Sequence, residues 1–510
     1  MKKTIGVILF FLLVFTLLGC ERNSSSIKST FKSLPTITKT NDTKSTSFFT
    51  STKRPSSTTK TSTSPTTITT QDEIIFDKKS LNVTGFAYGK VNDRNSNEIV
   101  QVTTVKEFVE AIKDKSTKAI EIMNDLDFGY NILDDTTKKV STEILRSANK
   151  PSLHPTLIKT GVSRIQIKDR NGLTIFSNGG YMIKHLCLAI IRSNDIVIRN
   201  LSFSELWEWD EATKGDYDVK DWDYITLESC DGVWIDHCTF AKSYDGLIDS
   251  KVDDYTTKNV TISWCKFDPN IDKDFIKEQF LEMEKSRVTY TMYDYLRTIG
   301  FTLEEIVKIS TPQKKGFLVG QSELNELNKG LTITLAYNYL VDLQDRLPRL
   351  RAGNAHVINC LSDASNAHRA YLISKKVQVS STYKFSVTSQ AIVTTENGSV
   401  FAQNCWFKGI ETIIKNNQKS ASKPEYTGKV KILDSIYELS TIYFFGGTDT
   451  VNNYFKIGPA QIKDFDYIDI SYDYILFEAK DLEEVLINQK YHAGVLNNSD
   501  INWLQTGGLN

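Results

Sequence analysis

Between Asp221 and Arg351, acidic and basic side chains recur at the spacing of one strand repeat: Asp221 and Asp223, then Asp245 and Asp249, then Lys315, then Arg346 and Arg351. Asp221 to Asp245 is 24 residues and Asp223 to Asp249 is 26, each about one coil of a repeating fold, so the four carboxylates are expected to share a small volume. Four close carboxylates without a ligand repel one another, and some must take up protons. A hard cation relieves that repulsion, and a donor set made only of oxygen favours calcium over zinc. Lys315, Arg346 and Arg351 are expected to face the same ion from the next coils. Cations set beside a cation call for an anion between them. No glycine-rich phosphate cradle accompanies these residues, so the anion expected is a polymer with a carboxylate on every unit, a polyuronate.

The elements that must position this set are visible as a short apolar phrase: IVIRNLSF at 196–203, VWIDHCTF at 233–240, VTISWCKF at 260–267, ITLAYNYL at 333–340 and VFAQNCWF at 400–407. A strand phrase that returns roughly every 25 to 40 residues predicts a solenoid. Residues one coil apart in sequence then lie roughly 4.8 Å apart in space. An amphipathic helix at 105–113, with Phe108, Val109 and Ile112 on one face, is expected to cap the open end. Between Pro269 and Pro312 the apolar period changes to about 3.6, with Ile276, Phe280 and Met283 aligned, then Leu303, Ile306 and Val307, and a capping box at Thr302 and Glu305. This predicts a helical insertion at about 269–312, serving either as a wall of the groove or as packing. The residues after about 415 are expected to wrap the C-terminal end.

The amino-terminal MKKTIGVILFFLLVFTLLGC carries two lysines, an apolar run and a Leu-Leu-Gly-Cys ending. That order reads as an export signal at 1–19, with a bacterial lipobox that implies lipidation of Cys20 and residence at the cell surface. From Asn23 to Thr70 more than half the residues are Ser or Thr. Such composition cannot bury enough surface to fold, so 20–71 is expected to be a tether and 72–510 the folded domain. A net charge of −1 provides no general attraction for nucleic acid. Four of the remaining cysteines, Cys238, Cys265, Cys360 and Cys405, fall in one column of the phrase. Either they are a buried thiol column, or neighbouring coils pair as Cys238–Cys265 and Cys360–Cys405.

On Asp221-Trp-Asp223, VWIDHC at 233–238, DGLID at 245–249, VTISWCKF at 260–267, KGFLVG at 315–320 and RLPRLRAGNAH at 346–356, the chain resembles the polysaccharide lyases of family 1, the pectate lyase type. The resemblance runs from about Asn82 to Cys360 and more loosely beyond. It implies an all-β fold, a right-handed parallel β-helix, acting as a monomer on polygalacturonate. It implies Asp223, Asp245 and Asp249 as primary calcium ligands, with Asp221 beside a calcium that bridges the substrate. Lys315 and Arg351 would hold uronate carboxylates, and Arg346 would be the catalytic base of a β-elimination. Arginine is ordinarily always charged, so an alkaline optimum is expected. Gln313 stands where the family often has His, and Ala336-Tyr337 replaces a His-His pair, which bears on groove shape more than on the reaction. Rival readings are a metal-independent pectin lyase, a polygalacturonase, which would need paired carboxylates acting with water, and a silent β-helical polysaccharide-binding protein. His237, His356, Trp234 and Trp264 are read as structural.

Overall fold

The computed structural model describes 80–129, 163–416, 428–445 and 470–508, apart from 212, 216, 218–220, 378, 384, 440 and 441, together with a two-residue strand at Thr66–Thr67 that pairs with Ile475–Leu476. The export signal, Cys20 and the remainder of the expected tether lie outside the described residues. The described chain winds into three sheets of eight, ten and ten strands. Their ladders are parallel except for the pair Ile436–Leu439 with Ile442–Phe445. The fold is a parallel β-helix. Its coils repeat the phrase in register: Ile196, Val233, Val260, Ile333, Ala355 and Val400 occupy one inward column of a ten-stranded sheet. These columns fill the interior with Ile, Val, Leu and Phe that are almost wholly buried, because a strand sends alternate side chains to opposite faces.

The turn that leaves this sheet is the same in seven successive coils. Asn200, His237, Trp264, Tyr337, Asn359, Asn404 and Asp434 each adopt a left-handed backbone, with φ between 43° and 57°. Non-glycine residues pay roughly 1–2 kcal/mol for that geometry. Here the cost is offset by contacts between coils, with Trp264 stacked on His237 at 5.9 Å and on Tyr337 at 4.7 Å. The next residue turns inward, producing the column Cys238, Cys265, Asn338, Cys360 and Cys405. All six described cysteines are free and buried, so the thiol-column reading holds and the paired one does not. Asn338 links the column by accepting from the Cys265 amide at 2.9 Å and donating to the Ile262 carbonyl at 2.9 Å. His237 meets Asp236 at 2.8 Å, and His356 meets Tyr472 and Gln403 at 2.7 and 2.9 Å. Trp234 and Trp264 are buried. All four are structural, as expected.

Of the residues after 415, Lys429–Leu433 and Ile436–Leu439 continue the last coil as expected, whereas the segment 470–508 differs from expectation. It runs back along the left-handed turns instead of closing the last coil: Asn404 and Asn359 donate to the Phe477 carbonyl, Gly494 donates to the Trp264 carbonyl, Asn200 exchanges hydrogen bonds with Leu496, and Val83 donates to Thr506. The amino-terminal helix, α1 (Val105–Lys113), forms with a Thr104–Glu107 capping box and buries Phe108, Ala111 and Ile112.

The insertion comprises α2 (Lys273–Lys285), α3 (Thr291–Thr298) and α4 (Leu303–Ser310), the last with the Thr302–Glu305 box. Its Phe280 ring lies 6.1, 5.2 and 5.6 Å from those of Trp207, Trp209 and Tyr293. Both feet are pinned. Asp272 accepts from Ser204, Glu205 and Lys242, and Lys242 Nζ donates to the Pro312 carbonyl at 2.7 Å. The insertion therefore packs against Trp207 and Trp209, and the Trp207 ring in turn stacks on Tyr217 at 6.4 Å, next to the site. Truncating a buried aromatic costs about 3–5 kcal/mol. Phe280→Ala should lower unfolding stability by that amount in a denaturant titration, and a loss under about 1 kcal/mol would show that the insertion is not part of the main core.

Candidate active site

The eight-stranded sheet carries the charged residues on β1 (Ile225–Glu228), β2 (Ile248–Lys251), β3 (Phe317–Val319), β4 (Arg349–Arg351), β5 (Gln390–Thr395) and β6 (Thr412–Asn416). Parallel in-register pairing preserves which face each residue occupies. Thr226, Asp249, Leu318, Arg349, Val393 and Lys415 form one outward column, and Glu228 with Lys251 begins a second. Asp221 and Asp223 stand on the segment leading into β1.

Of the four aspartates singled out by spacing, the structure brings Asp221, Asp223 and Asp249 together, with one ligand oxygen from each all within 4.8 Å of one another. Asp245 is turned to Lys315, whose Nζ lies 2.5 Å from its carboxylate and also donates to the Tyr217 carbonyl at 2.9 Å. Gln313 fixes this arrangement by donating to the carbonyls of Asp245 and Lys315 at 2.8 and 2.9 Å. The amide at this position thus holds the backbone of the two charged residues together. The loop supported by the helical insertion supplies Tyr217, so the insertion acts on the site through Lys315.

The aspartate nest is built to hold positive charge. Burial, followed by the charges of Asp249 and Asp245, pushes the Asp223 carboxyl well above its usual range. Asp249 is raised to about 6, chiefly by burial, with Lys251 and Arg346 opposing the rise. Asp223 Oδ1 accepts from the Gly246 amide at 2.7 Å, whereas its Oδ2 is buried with no hydrogen-bond partner among the described residues. A Cβ on Gly246 would come within 2.7 Å of Asp223 Oδ1 and 2.9 Å of Asp249 Oδ1, so glycine is what lets the two carboxylates close on this turn. An orphaned buried oxygen in an all-oxygen set fits a hard divalent cation.

Lys251, which spacing by whole coils did not single out, stands at the nest. Its Nζ is 3.0 Å from Asp221 and 3.9 Å from both Asp223 and Asp249. Burial works against its charge, yet Asp249, Asp223 and Asp221 hold its pKa above the ordinary value. The signal that could have found it is local: two residues beyond Asp249 on a strand is the same face.

Arg346 enters β4 from a left-handed backbone with φ of 69°. Its amide donates to Asp345 Oδ1 at 2.7 Å, its carbonyl accepts from Phe317 N at 2.8 Å, and its Nε is buried without a hydrogen-bond partner among the described residues. Its charge acts on Asp249, so it lies within electrostatic reach of the nest. Arg351 donates through Nη1 to the carbonyls of Gly320 and Gln321, each at 2.6 Å, and burial followed by the Arg346 charge lowers its pKa. The arrangement combines a carboxylate nest, a guanidinium whose charge reaches it, and further cations at Lys251, Lys315 and Arg351. It can bind a carboxylate-bearing ligand next to a base and a cation.

A sequence profile described as pectate lyase matches residues 306–444. Pectate lyase B of Paenibacillus amylolyticus is 43% identical over 344 residues, covering 65% of this chain and 86% of that protein. Pectate trisaccharide-lyase of Thermotoga maritima is 29% identical over 172 residues, 34% of each chain. Among solved structures, the pectate lyase pelN of Paenibacillus sp. 0602 superposes with a TM-score of 0.72 at 37% identity, covering 84% of this chain and 99% of that one.

Proposed function

Because the chain belongs to the pectate lyase family, we propose that it cleaves de-esterified polygalacturonate by calcium-assisted β-elimination, leaving 4,5-unsaturated ends. The observation that carries this reading is the nest of Asp221, Asp223 and Asp249, with the buried Asp223 Oδ2 left without a hydrogen-bond partner among the described residues and the charge of Arg346 felt at Asp249. Asp221, Asp223 and Asp249 would hold calcium, and Asp245 would join them on parting from Lys315. Calcium supplies positive charge that neutralises a uronate carboxylate and so makes the neighbouring C5 proton more acidic. Lys251, Lys315 and Arg351 hold and orient the carboxylates of the polymer. Arg346 takes the C5 proton; the electron pair left behind forms the C4=C5 double bond as the C4–O bond breaks, and the departing glycosidic oxygen gains a proton. No water enters. Fixed cations around the charge that develops on the uronate are the main contribution of the chain.

The test is to incubate the folded domain with polygalacturonate, with calcium or with chelator, and to follow the ultraviolet absorbance of the unsaturated product. Calcium-dependent absorbance supports the lyase. New reducing ends without absorbance would indicate a hydrolase, and binding without cleavage a polysaccharide-binding protein. Activity that persists in chelator on methyl-esterified chains would favour a metal-independent pectin lyase.

The amino-terminal sequence supports anchoring outside the cytoplasmic membrane through lipid on Cys20. Labelled fatty acid should enter the full-length protein made in a bacterial host, and Cys20→Ser should abolish that label. Unchanged labelling would remove the anchor from the reading.

A further inference from the structure

The charged groups of the site are spread along the stacking direction: Asp249 and Lys251 on β2, Lys315 immediately before β3, and Arg346 and Arg351 bounding β4. A ligand that touches all of them must lie across the strands. The outward column that contains Asp249 continues through Leu318 to Arg349, then through Val393 to Lys415. Arg349 is two rungs beyond Asp249 and Lys415 two rungs beyond Arg349, an interval of roughly 9.6 Å at about 4.8 Å per rung. The nest residue Asp249 and the two cations Arg349 and Lys415 thus stand on one face at successive intervals on the order of one disaccharide. A polyuronate lying along the column, with its rings turning over in alternation, presents one carboxylate to that face at each such interval.

Arg349 has the character of a group built to meet an anion. Its Nε is buried and has no hydrogen-bond partner among the described residues. It shares a strand and a face with Arg351, and it lies close enough to Arg351 and Arg346 to feel both charges, which, after burial, help push its pKa down to about 10. Asp345 and Glu323 are the acidic groups that act on it in the other direction. Three guanidiniums crowded on one short strand and its approach repel one another, and an anionic ligand between them reverses the sign of the interaction.

We propose that Arg349 and Lys415 are further substrate-binding positions, each taking a uronate carboxylate of the polymer beyond the sugar held at the aspartate nest, so that the groove reads the charge of the chain over several units. This rests on the polygalacturonate lyase reading above. It implies selectivity for long, unesterified stretches.

The experiment compares wild type, Arg349→Gln, Arg349→Lys and Lys415→Gln on polygalacturonate, on trigalacturonate and on partly methyl-esterified chains. Circular dichroism melting confirms that each variant is folded. On the long polymer, Arg349→Gln should raise KM by about tenfold and Lys415→Gln by about threefold, with kcat changed by less than about twofold, the pattern of lost binding rather than lost chemistry. Arg349→Lys should recover most of the KM. Lys415→Gln should leave trigalacturonate kinetics unchanged, and both glutamine variants should lose less on esterified chains. A wild type that forms no unsaturated product would overturn the lyase reading itself. An active wild type with KM unmoved in both variants, or with equal loss on trimer, polymer and esterified chains, would overturn only these binding positions. Should Arg349→Gln fail to fold, the Lys415→Gln comparison still decides.

Discussion

Replacing Arg346 with alanine should lower the rate of unsaturated-product formation by about 10³-fold while leaving calcium affinity within a few-fold of wild type. A positioned proton acceptor contributes on the order of 10²–10⁴ in rate. The Arg346 guanidinium lies within electrostatic reach of Asp249; in the outward column Leu318 is apolar, Asp249 belongs to the carboxylate set, and Arg349 stands two rungs away from Asp249. Arg346→Lys should recover little, because the ammonium is a compact point charge on a different stem and does not place a nitrogen where the planar fork does. A second effect follows from the coupling of Arg346 with Asp249. Removing the positive charge that helps keep Asp249 ionised should raise the pH at which that carboxylate loses its proton, so calcium binding in Arg346→Ala should weaken on the acidic side only. Product absorbance measured against pH at saturating calcium checks the first effect, and isothermal titration with calcium checks the second. A residual rate above about a tenth of wild type would remove Arg346 from the role of base. A wild-type rate that peaks at acidic pH would do the same, since the bound arginine must give up charge to accept a proton.

Much of this site was legible because a parallel solenoid turns sequence spacing into distance. The apolar phrases register in the structure as written, and spacing by one coil brought Asp221, Asp223 and Asp249 together. It failed for Asp245 because a coil spacing fixes backbone position and not side-chain direction. Lys315 competes for that carboxylate, and Gln313 locks the pair. Lys251 escaped because its signal is a two-residue offset on a strand, and its register partner one coil back, Glu228, is not one of the residues that coil spacing singled out. The C-terminal segment has no period to read; it is held by backbone partners of Asn200, Asn359 and Asn404, whose left-handed turns become a surface only once the coils have stacked. The helix Ser365–Ser374 is equally hidden, since only its Ser365 amide is met locally, by Asp363, while the Asn366 and Ala367 amides donate to Asp342 from a neighbouring coil. The thiol column was readable as a column, but pairing depends on side-chain geometry that register alone leaves open.

Asp223→Asn should have opposite effects on stability with and without calcium, and the larger of them is the loss of calcium. In the metal-free protein Asp223 and Asp249 both resist ionisation, chiefly because they are buried; the other aspartates add to this. A carboxylate whose folded pKa is raised binds more protons folded than unfolded between the two values, so stability falls as pH rises through that window. For Asp249 the window runs from the ordinary value of 3.8 to about 6. The penalty is absent below it, complete above it and on the order of 3 kcal/mol for a rise of that size. Metal-free wild type should therefore melt at progressively lower temperature from about pH 4 to pH 7, and calcium should cancel the decline by pairing the ionised carboxylates. Calcium binding should release a proton from Asp249 in weakly acidic buffer and almost none from that group at about pH 8, a difference read by titration in buffers of unequal ionisation enthalpy. Neutralising Asp223 removes one of the buried charges while its Oδ1 can still accept from the Gly246 amide. In chelator at about pH 8, Asp223→Asn should melt above wild type. In millimolar calcium it should melt below, because losing an anionic donor from the nest is expected to cost calcium about 10²-fold or more in affinity. If the variant is destabilised equally with and without calcium, the nest is a structural ion-pair cluster around Lys251 and not the seat of a metal.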